Sequence, residues 1–128
     1  MKFAYTIIYV PDVAKAAAFY EQAFGLQQRF VHESGQYAEM ETGATTLAFA
    51  LDELAHSNLP GGFRENDPAQ PPAGIEVAFT TADVTAAYQQ AVAAGAIGLA
   101  EPKTKPWGQV VAYVRDLNGV LVEIGTPM

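Results

Sequence analysis

The stretch "YTIIYVPDVAKAA" (Tyr5–Ala17) recurs in outline 71 residues later as "EVAFTTADVTAAY" (Glu76–Tyr88). Each copy is an apolar segment typical of a strand, followed by an aspartate, Asp12 or Asp83, that can cap the start of a helix. Two similar units at a fixed separation indicate an internal repeat. The sequence therefore predicts two copies of one structural module in tandem.

Helical periodicity follows each aspartate, and strand periodicity follows each helix. The first helix is predicted over 13–24 and the second over 84–94, with Gly25 and Gly95 ending them. The hydrophobic pattern then changes to a period of two. The predicted strands are "LQQRFVHE", "QYAEME" and "TTLAFAL" in the first half, and a short segment near "GLAEP" broken by proline, "QVVAYVR" and "VLVEIG" in the second.

Each half is thus strand, helix and three strands. The predicted fold class is α+β, with two tandem βαβββ modules forming a curved mixed sheet around a concave ligand cup. We expect a single domain over 1–128, with module one at 1–54, a linker rich in proline and glycine at 55–74, and module two at 75–128.

Alternation within the strands predicts which side chains face the cup. The large apolar side chains are expected to face the helices. Small, acidic and tyrosyl side chains are expected to face the cup, among them Tyr5, Tyr9, Ala48 and Glu123.

Composition and charge limit the function classes. The chain has 14 acidic and 7 basic residues and a formal net charge of −7, which argues against nucleic acid as a partner, because neutralising phosphates needs clustered Lys and Arg. The same charge is compatible with a cationic ligand. No apolar run approaches the roughly 18 residues that span a bilayer, and the start lacks the features of a signal peptide. We therefore expect a cytoplasmic protein with no membrane partner.

In its repeated strand and helix segments the chain resembles the vicinal oxygen chelate superfamily, which includes glyoxalase I, extradiol dioxygenases and the bleomycin-resistance proteins. The resemblance rests on "VPDVAKAAAFYEQAFGL" (10–26), on the repeat, and on "WGQVVAYVRDLNGVLVEI" (107–124). For enzymes of this superfamily it implies a divalent metal that acts as a Lewis acid, held at four positions that are usually His or Glu. Those positions fall on Tyr5, Ala48, Glu76 and Glu123.

Only Glu123 is the residue that the superfamily implies there, and Ala48 has no donor atom. We therefore expect no metal site of the usual kind and no cofactor. The alternative is that Glu76 and Glu123 hold a divalent cation weakly through oxygen atoms alone. The two histidines, His32 and His56, are expected to be solvated, and the chain has no cysteine to supply a thiolate.

Glu76 and Glu123 have two further interpretations. In adjacent strands each would raise the pKa of the other, so the pair could act with Tyr5 as a general acid or base, or accept hydrogen bonds from an amine-bearing ligand. Alternatively, one is solvated at the rim and the other pairs with Arg115 or a lysine.

The only tryptophan, Trp107, lies in "PWGQVVAYVRDLNG" (106–119), which is similar to a segment of the bleomycin-resistance branch. The resemblance implies that this tryptophan and an aromatic residue of the third strand, here Tyr37, stack on the flat part of a drug. It also implies a homodimer in which the two residues of one site come from different chains. The alternative is that Trp107 only caps the end of the barrel.

Two functional hypotheses follow. The first is metal-independent binding and sequestration of a small planar aromatic compound, neutral or cationic. Its expected contacts are Tyr5, Tyr9, Tyr37, Ala48, Glu76, Trp107 and Glu123. The second is an enzyme of the superfamily, a lyase, isomerase or dioxygenase, with a non-standard site built on Tyr5, Glu76 and Glu123.

Overall fold

The computed structural model of the protein describes all 128 residues. Its elements follow the predicted order, with one short additional helix between the modules. The elements are β1 (Tyr5–Val10), α1 (Val13–Phe24), β2 (Gln27–Val31), β3 (Tyr37–Glu41), β4 (Thr46–Leu51), α2 (Asp52–Asn58), β5 (Glu76–Thr80), α3 (Val84–Ala93), β6 (Ile97–Thr104), β7 (Val110–Arg115) and β8 (Leu121–Gly125). None of the helices is both long and apolar enough to cross a bilayer.

The sheet topology confirms the α+β class and the tandem βαβββ modules. One four-stranded sheet has the order β1-β4-β3-β2 and the other the order β5-β8-β7-β6. In both, the first strand pairs in parallel with the last, and the remaining pairs are antiparallel. Tyr5 lies beside Thr46 as Glu76 lies beside Leu121. The sequence repeat is therefore also a repeat of strand register.

Contacts divide the chain into two compact units, residues 1–21 with 25–65 and residues 22–24 with 66–128. In the first unit, Asp12 caps α1 by accepting a hydrogen bond from the Lys15 amide at 3.0 Å. Tyr20 of α1 is 1% exposed and packs on Phe49, with ring centroids 4.9 Å apart. Alternate strand residues complete this core, namely Ile8, Val10, Ala38, Met40 and Leu47.

In the second unit α3 packs against β6, β7 and β8. Asp83 caps α3 through the Ala86 amide at 3.0 Å, and the helix ends at Ala93, one residue before the predicted end. Gly98 allows the helix to approach β6, because a Cβ atom there would overlap the Tyr88 hydroxyl. The core of this unit includes Val84, Ala91, Ala112, Val114, Val122 and Ile124.

The prediction of a short strand near "GLAEP" is wrong. The strand there, β6, has eight residues and runs through Pro102. Because β6 is an edge strand paired only with β7, a residue without an amide hydrogen is tolerated. Its register shifts between Gly98 and Ala100 and again before Lys103, which further loosens the pairing around the proline. The linker predicted at 55–74 begins inside a helix, since α2 covers Asp52–Asn58.

Candidate functional site

Apart from Trp107, the predicted site residues lie on the far face of each sheet, meaning the side opposite its helix. In the first unit the register places Ala48 between Ile7 and Glu39, while Tyr37 lies beside Ala50. Ala48 has no exposed surface in the single chain. Tyr5 is 50% exposed at the start of β1.

The Arg29 guanidinium group pairs with both acidic side chains of this first face, Glu39 and Glu41. Nη1 of Arg29 donates to Oε2 of Glu39 at 2.8 Å and to the Thr46 hydroxyl at 3.2 Å. Nε of Arg29 donates to Oε1 of Glu41 at 2.7 Å. These hydrogen bonds lower the pKa of Glu41 and raise that of Arg29. Sequence reasoning missed this network, although the period-two pattern places Glu39 and Glu41 on one face.

Tyr37 is bound to the same network. Its hydroxyl donates to Oε1 of Glu39 at 3.0 Å, and its ring lies 6.0 Å from that of Phe30 between centroids. Burial first, and then the hydrogen bond to Glu39, raise the pKa of Tyr37 to about 12. Tyr37 is therefore a neutral phenol whose hydroxyl end is fixed.

The end of β1 is covered by residues from α2 and the segment after it. The Tyr9 ring packs on Phe63 at 5.0 Å, and Phe63 stacks on His56 at 4.4 Å between centroids. Nε2 of His56 lies 2.8 Å from Oε1 of Glu65. His56 is exposed, as predicted for a solvated histidine, but it is also held by these two contacts. Tyr9 is therefore only partly open to a ligand.

The second unit presents a carboxyl pair on its far face. Glu123 of β8 lies beside Ala78 and Glu76 beside Leu121, so the two glutamates are diagonal neighbours on adjacent strands. Partial burial first, and then the charge of Glu123, raise the pKa of Glu76. Burial and the neighbouring carboxylate therefore both favour the protonated form of Glu76.

Tyr113 completes this group. It lies directly opposite Glu123 in the β7–β8 register, and its hydroxyl donates to Oε2 of Glu123 at 3.0 Å. That hydrogen bond is the main reason that the pKa of Tyr113 is raised. Sequence reasoning missed Tyr113, although the alternation in "QVVAYVR" would have placed it on the face of Glu123.

The alternative in which Arg115 pairs with one of the glutamates is wrong. Arg115 is 9% exposed, and its donors are directed to backbone carbonyl groups at 2.7–3.2 Å, those of Asp67, Pro68, Gln70 and Gly119. Lys105 places Nζ 6.0 Å from the centroid of the Tyr113 ring. Neither glutamate forms an ion pair within the chain.

The residues at the four positions implied for metal ligands do not fit a divalent ion. Ala48 offers no donor, and the two glutamates of the second unit are the only carboxylates among the four. No group of three or more His, Asp or Glu side chains is placed to hold a metal ion. Hard divalent ions take six or more oxygen ligands, and these four residues supply too few donor atoms for one.

Trp107 lies in the turn between β6 and β7 and is 65% exposed, so it does not cap a core within this chain. Its Nε1 donates to Oε1 of Gln109 at 3.0 Å. Trp107, Gly108 and Gln109, together with Thr126–Met128, line a groove of about 680 Å³. A groove of this size and apolar lining suits a drug-sized ring system.

The groove and the carboxyl pair are neighbours across Gly125. A Cβ atom at Gly125 would lie 3.2 Å from Nε2 of Gln109 and 3.7 Å from Oε1 of Glu123. The Gln109 end of the groove therefore lies near Glu123. Tyr37 belongs to the first unit and Trp107 to the second, so their predicted pairing stays a prediction.

A family model described as the Glyoxalase/Bleomycin resistance protein/Dioxygenase superfamily matches residues 2–124. No curated protein matches the chain. Among solved structures, a glyoxalase-related enzyme from Fulvimarina pelagi is 22% identical with a TM-score of 0.84, over 99% of this chain and 88% of that one.

Two further structures are similar over the full length of both chains. A glyoxalase/bleomycin resistance protein/dioxygenase family enzyme from Burkholderia phytofirmans PsJN is 21% identical with a TM-score of 0.86. TioX from Micromonospora sp. ML1 is 20% identical with a TM-score of 0.73. Identities this low establish a shared fold.

Proposed function

The chain belongs to the glyoxalase/bleomycin resistance protein/dioxygenase superfamily, and we propose that within it the protein binds and sequesters a small planar aromatic compound, preferably a cation, without a metal. The observation that carries the proposal is the exposed indole of Trp107 beside a carboxyl pair that has no cationic partner of its own. An aromatic ring stacked on the indole gains about 0.5–1.5 kcal/mol beyond the area that it buries.

The contrast between the two units supports a cationic ligand. In the first unit Arg29 already pairs with Glu39 and Glu41. In the second unit Glu76 and Glu123 have only each other and the Tyr113 hydroxyl. A ligand that brings a positive charge would supply what Arg29 supplies in the first unit.

A second candidate function is proton transfer in an enzyme of the same superfamily. It is favoured by the raised pKa of Glu76 and by the Tyr113 hydroxyl bound to Glu123, since groups of this kind can exchange a proton with a substrate. Binding without turnover is preferred because the ligand positions implied for the enzymes include Ala48. An antibiotic as the ligand, a homodimer and a cytoplasmic location remain predictions.

The test uses proflavine, a flat cationic tricycle, and phenazine, a flat neutral one, in buffer treated with a chelator. Binding is measured by calorimetry, so that variants without tryptophan can be compared. We expect saturable proflavine binding, weaker phenazine binding, and a loss of about tenfold or more in affinity for Trp107→Ala. Glu123→Gln should weaken proflavine selectively, whereas Glu101→Gln, at an exposed position on β6, serves as the matched control.

Two results would overturn the proposal. One is that no probe binds until a divalent metal is added back. The other is that proflavine binds with the same affinity to wild type and to Trp107→Ala. Turnover of a superfamily substrate that is lost in Glu76→Gln would favour the enzyme instead.

A further inference from the structure

The Gln109 side chain connects the exposed indole to the backbone of Thr126, the residue that follows β8. Its Oε1 accepts the hydrogen bond from Nε1 of Trp107 at 3.0 Å, and its Nε2 donates to the Thr126 carbonyl at 2.9 Å. Thr126 is itself held to Val110, through an amide–carbonyl bond of 2.9 Å and a bond of 3.1 Å to its hydroxyl. One end of the carboxamide is thus anchored, and the other end holds the tryptophan.

An indole in this position needs such a contact to keep one orientation. Trp107 is 65% exposed and is followed by Gly108, whose φ of 93° marks a tight turn. Packing alone therefore restrains its two side-chain torsions weakly. The indole N–H is its only polar group and donates one hydrogen bond. With that bond fixed, the ring keeps one face toward the groove lined by Thr126–Met128.

Gly125 provides the room for the carboxamide. A Cβ atom at this position would lie 3.2 Å from Nε2 of Gln109, which is closer than a normal carbon–nitrogen contact. Gly125 is a strand residue, where glycine usually weakens the sheet. Close approach of the Gln109 side chain gives a physical reason for a glycine here.

We propose that Gln109 is the positioning residue of the Trp107 site, and that Gly125 gives its carboxamide room. The benefit of this positioning for ligand binding rests on the proposed function, since a pre-oriented ring reduces the entropic cost of ordering the site when a ligand stacks. The orientation itself is a property of the free protein and is measured without any ligand.

The experiment is time-resolved fluorescence anisotropy of the single tryptophan in the ligand-free protein. In wild type we expect the anisotropy to decay with overall tumbling. Gln109→Met, which keeps the length but loses both hydrogen bonds, should add a large subnanosecond component and increase acrylamide quenching. Gly125→Ala should have the same effect by displacing the carboxamide.

Two variants separate positioning from a general structural role. Gln109→Glu keeps an acceptor for the indole but cannot donate to the Thr126 carbonyl, so it should restore part of the restraint. Gln89→Met, at an exposed position on α3, should leave the decay unchanged, and circular dichroism checks that each variant folds. A large fast component in wild type, or an unchanged decay in Gln109→Met, would overturn the inference.

Proflavine titration then tests what the positioning does. If wild type binds proflavine, Gln109→Met should weaken its affinity several-fold, and equal affinities would refute a role in binding. If wild type does not bind proflavine, the proposed function loses its support, while the anisotropy data still decide whether Gln109 holds the indole.

Discussion

The hydroxyl group of Tyr113 donates a hydrogen bond to Oε2 of Glu123 at 3.0 Å. The first unit contains a matching bond, from the Tyr37 hydroxyl to Oε1 of Glu39, also at 3.0 Å. Glu39 has a cationic partner, since Arg29 lies 2.8 Å from it. Glu123 forms no ion pair within the chain. The two units thus hold similar tyrosine–glutamate pairs, of which one has an arginine partner and the other is open.

The open pair predicts a pH dependence of stability. The pKa of Glu76 is raised above its ordinary value of 4.5, so the folded protein binds this proton more tightly than the unfolded chain does. Its contribution to stability is therefore fully present below pH 4.5 and is lost as the pH rises through the folded pKa. Glu123→Gln removes one cause of the shift, so unfolding free energies of this variant should fall less than those of wild type as the pH rises from 4.5 towards neutrality.

Urea unfolding at a series of pH values measures this difference. Glu101→Gln is the control, since it removes an exposed charge from β6 in the same unit. If Glu123→Gln and wild type show the same pH slope, the two carboxyl groups do not interact in solution.

Tyr37 predicts a late step in alkaline titration. The chain has six tyrosines, and the pKa of Tyr37 is raised to about 12 by burial and by its bond to Glu39. The unfolded chain loses this proton near pH 10, so the stabilising contribution of Tyr37 is present below pH 10 and decreases as the pH rises towards 12. Ultraviolet absorbance of the phenolate should show a step near pH 12 that is absent in Tyr37→Phe.

In Glu39→Gln the Tyr37 step should move to a lower pH but stay above pH 10, because burial is the larger cause of the raised pKa of Tyr37. If Tyr37→Phe instead removes a tyrosine that titrates near pH 10, neither burial nor the bond to Glu39 raises the pKa of Tyr37 in solution.

The fold could be predicted from sequence where local signals agree. The caps at Asp12 and Asp83 and the period-two strands determine α1, α3 and most of both sheets, because capping and alternation act over a few residues. The helix α2 carries weaker signals, since Leu51 provides no side-chain cap. The length of β6 was underestimated because Pro102 suggested a break. A proline is tolerated in an edge strand, and the sequence does not reveal that β6 is at the edge.

The site was predictable only in part, for a different physical reason. Alternation and the repeat place Glu76 and Glu123 on one face. Arg29 and Gln109 could not be assigned roles, because their hydrogen bonds depend on side-chain rotamers and on register shifts such as the one between Gln28 and Phe30. The choice of partner for a long polar side chain is a tertiary property.

Gly98 predicts a specific clash with α3. A Cβ atom at this position would overlap the Tyr88 hydroxyl, so Gly98→Ala should destabilise the protein by about 1–3 kcal/mol, as overpacking typically does. Tyr88→Phe removes the hydroxyl and should recover part of that loss in the double variant. Gly74→Ala is the matched control, because no atom lies within 4 Å of its Cβ position. Urea unfolding gives the four free energies, and additive effects of the Gly98 and Tyr88 changes would contradict the contact.

The predicted homodimer, with Tyr37 and Trp107 of one site in different chains, gives a complementation test. Trp107→Ala and Tyr37→Ala should each weaken proflavine binding when measured alone. If one site takes its two aromatic residues from two chains, a mixed dimer of these variants contains one intact site and one site that lacks both residues. Random exchange in an equal mixture should then restore about a quarter of the sites to wild-type affinity. Calorimetry on the mixture after unfolding and refolding together measures that fraction, and the same variants refolded apart and then combined are the control. A mixture that binds no better than the separate variants would show that the two residues do not meet across a dimer, and Trp107 would then act with the groove of its own unit.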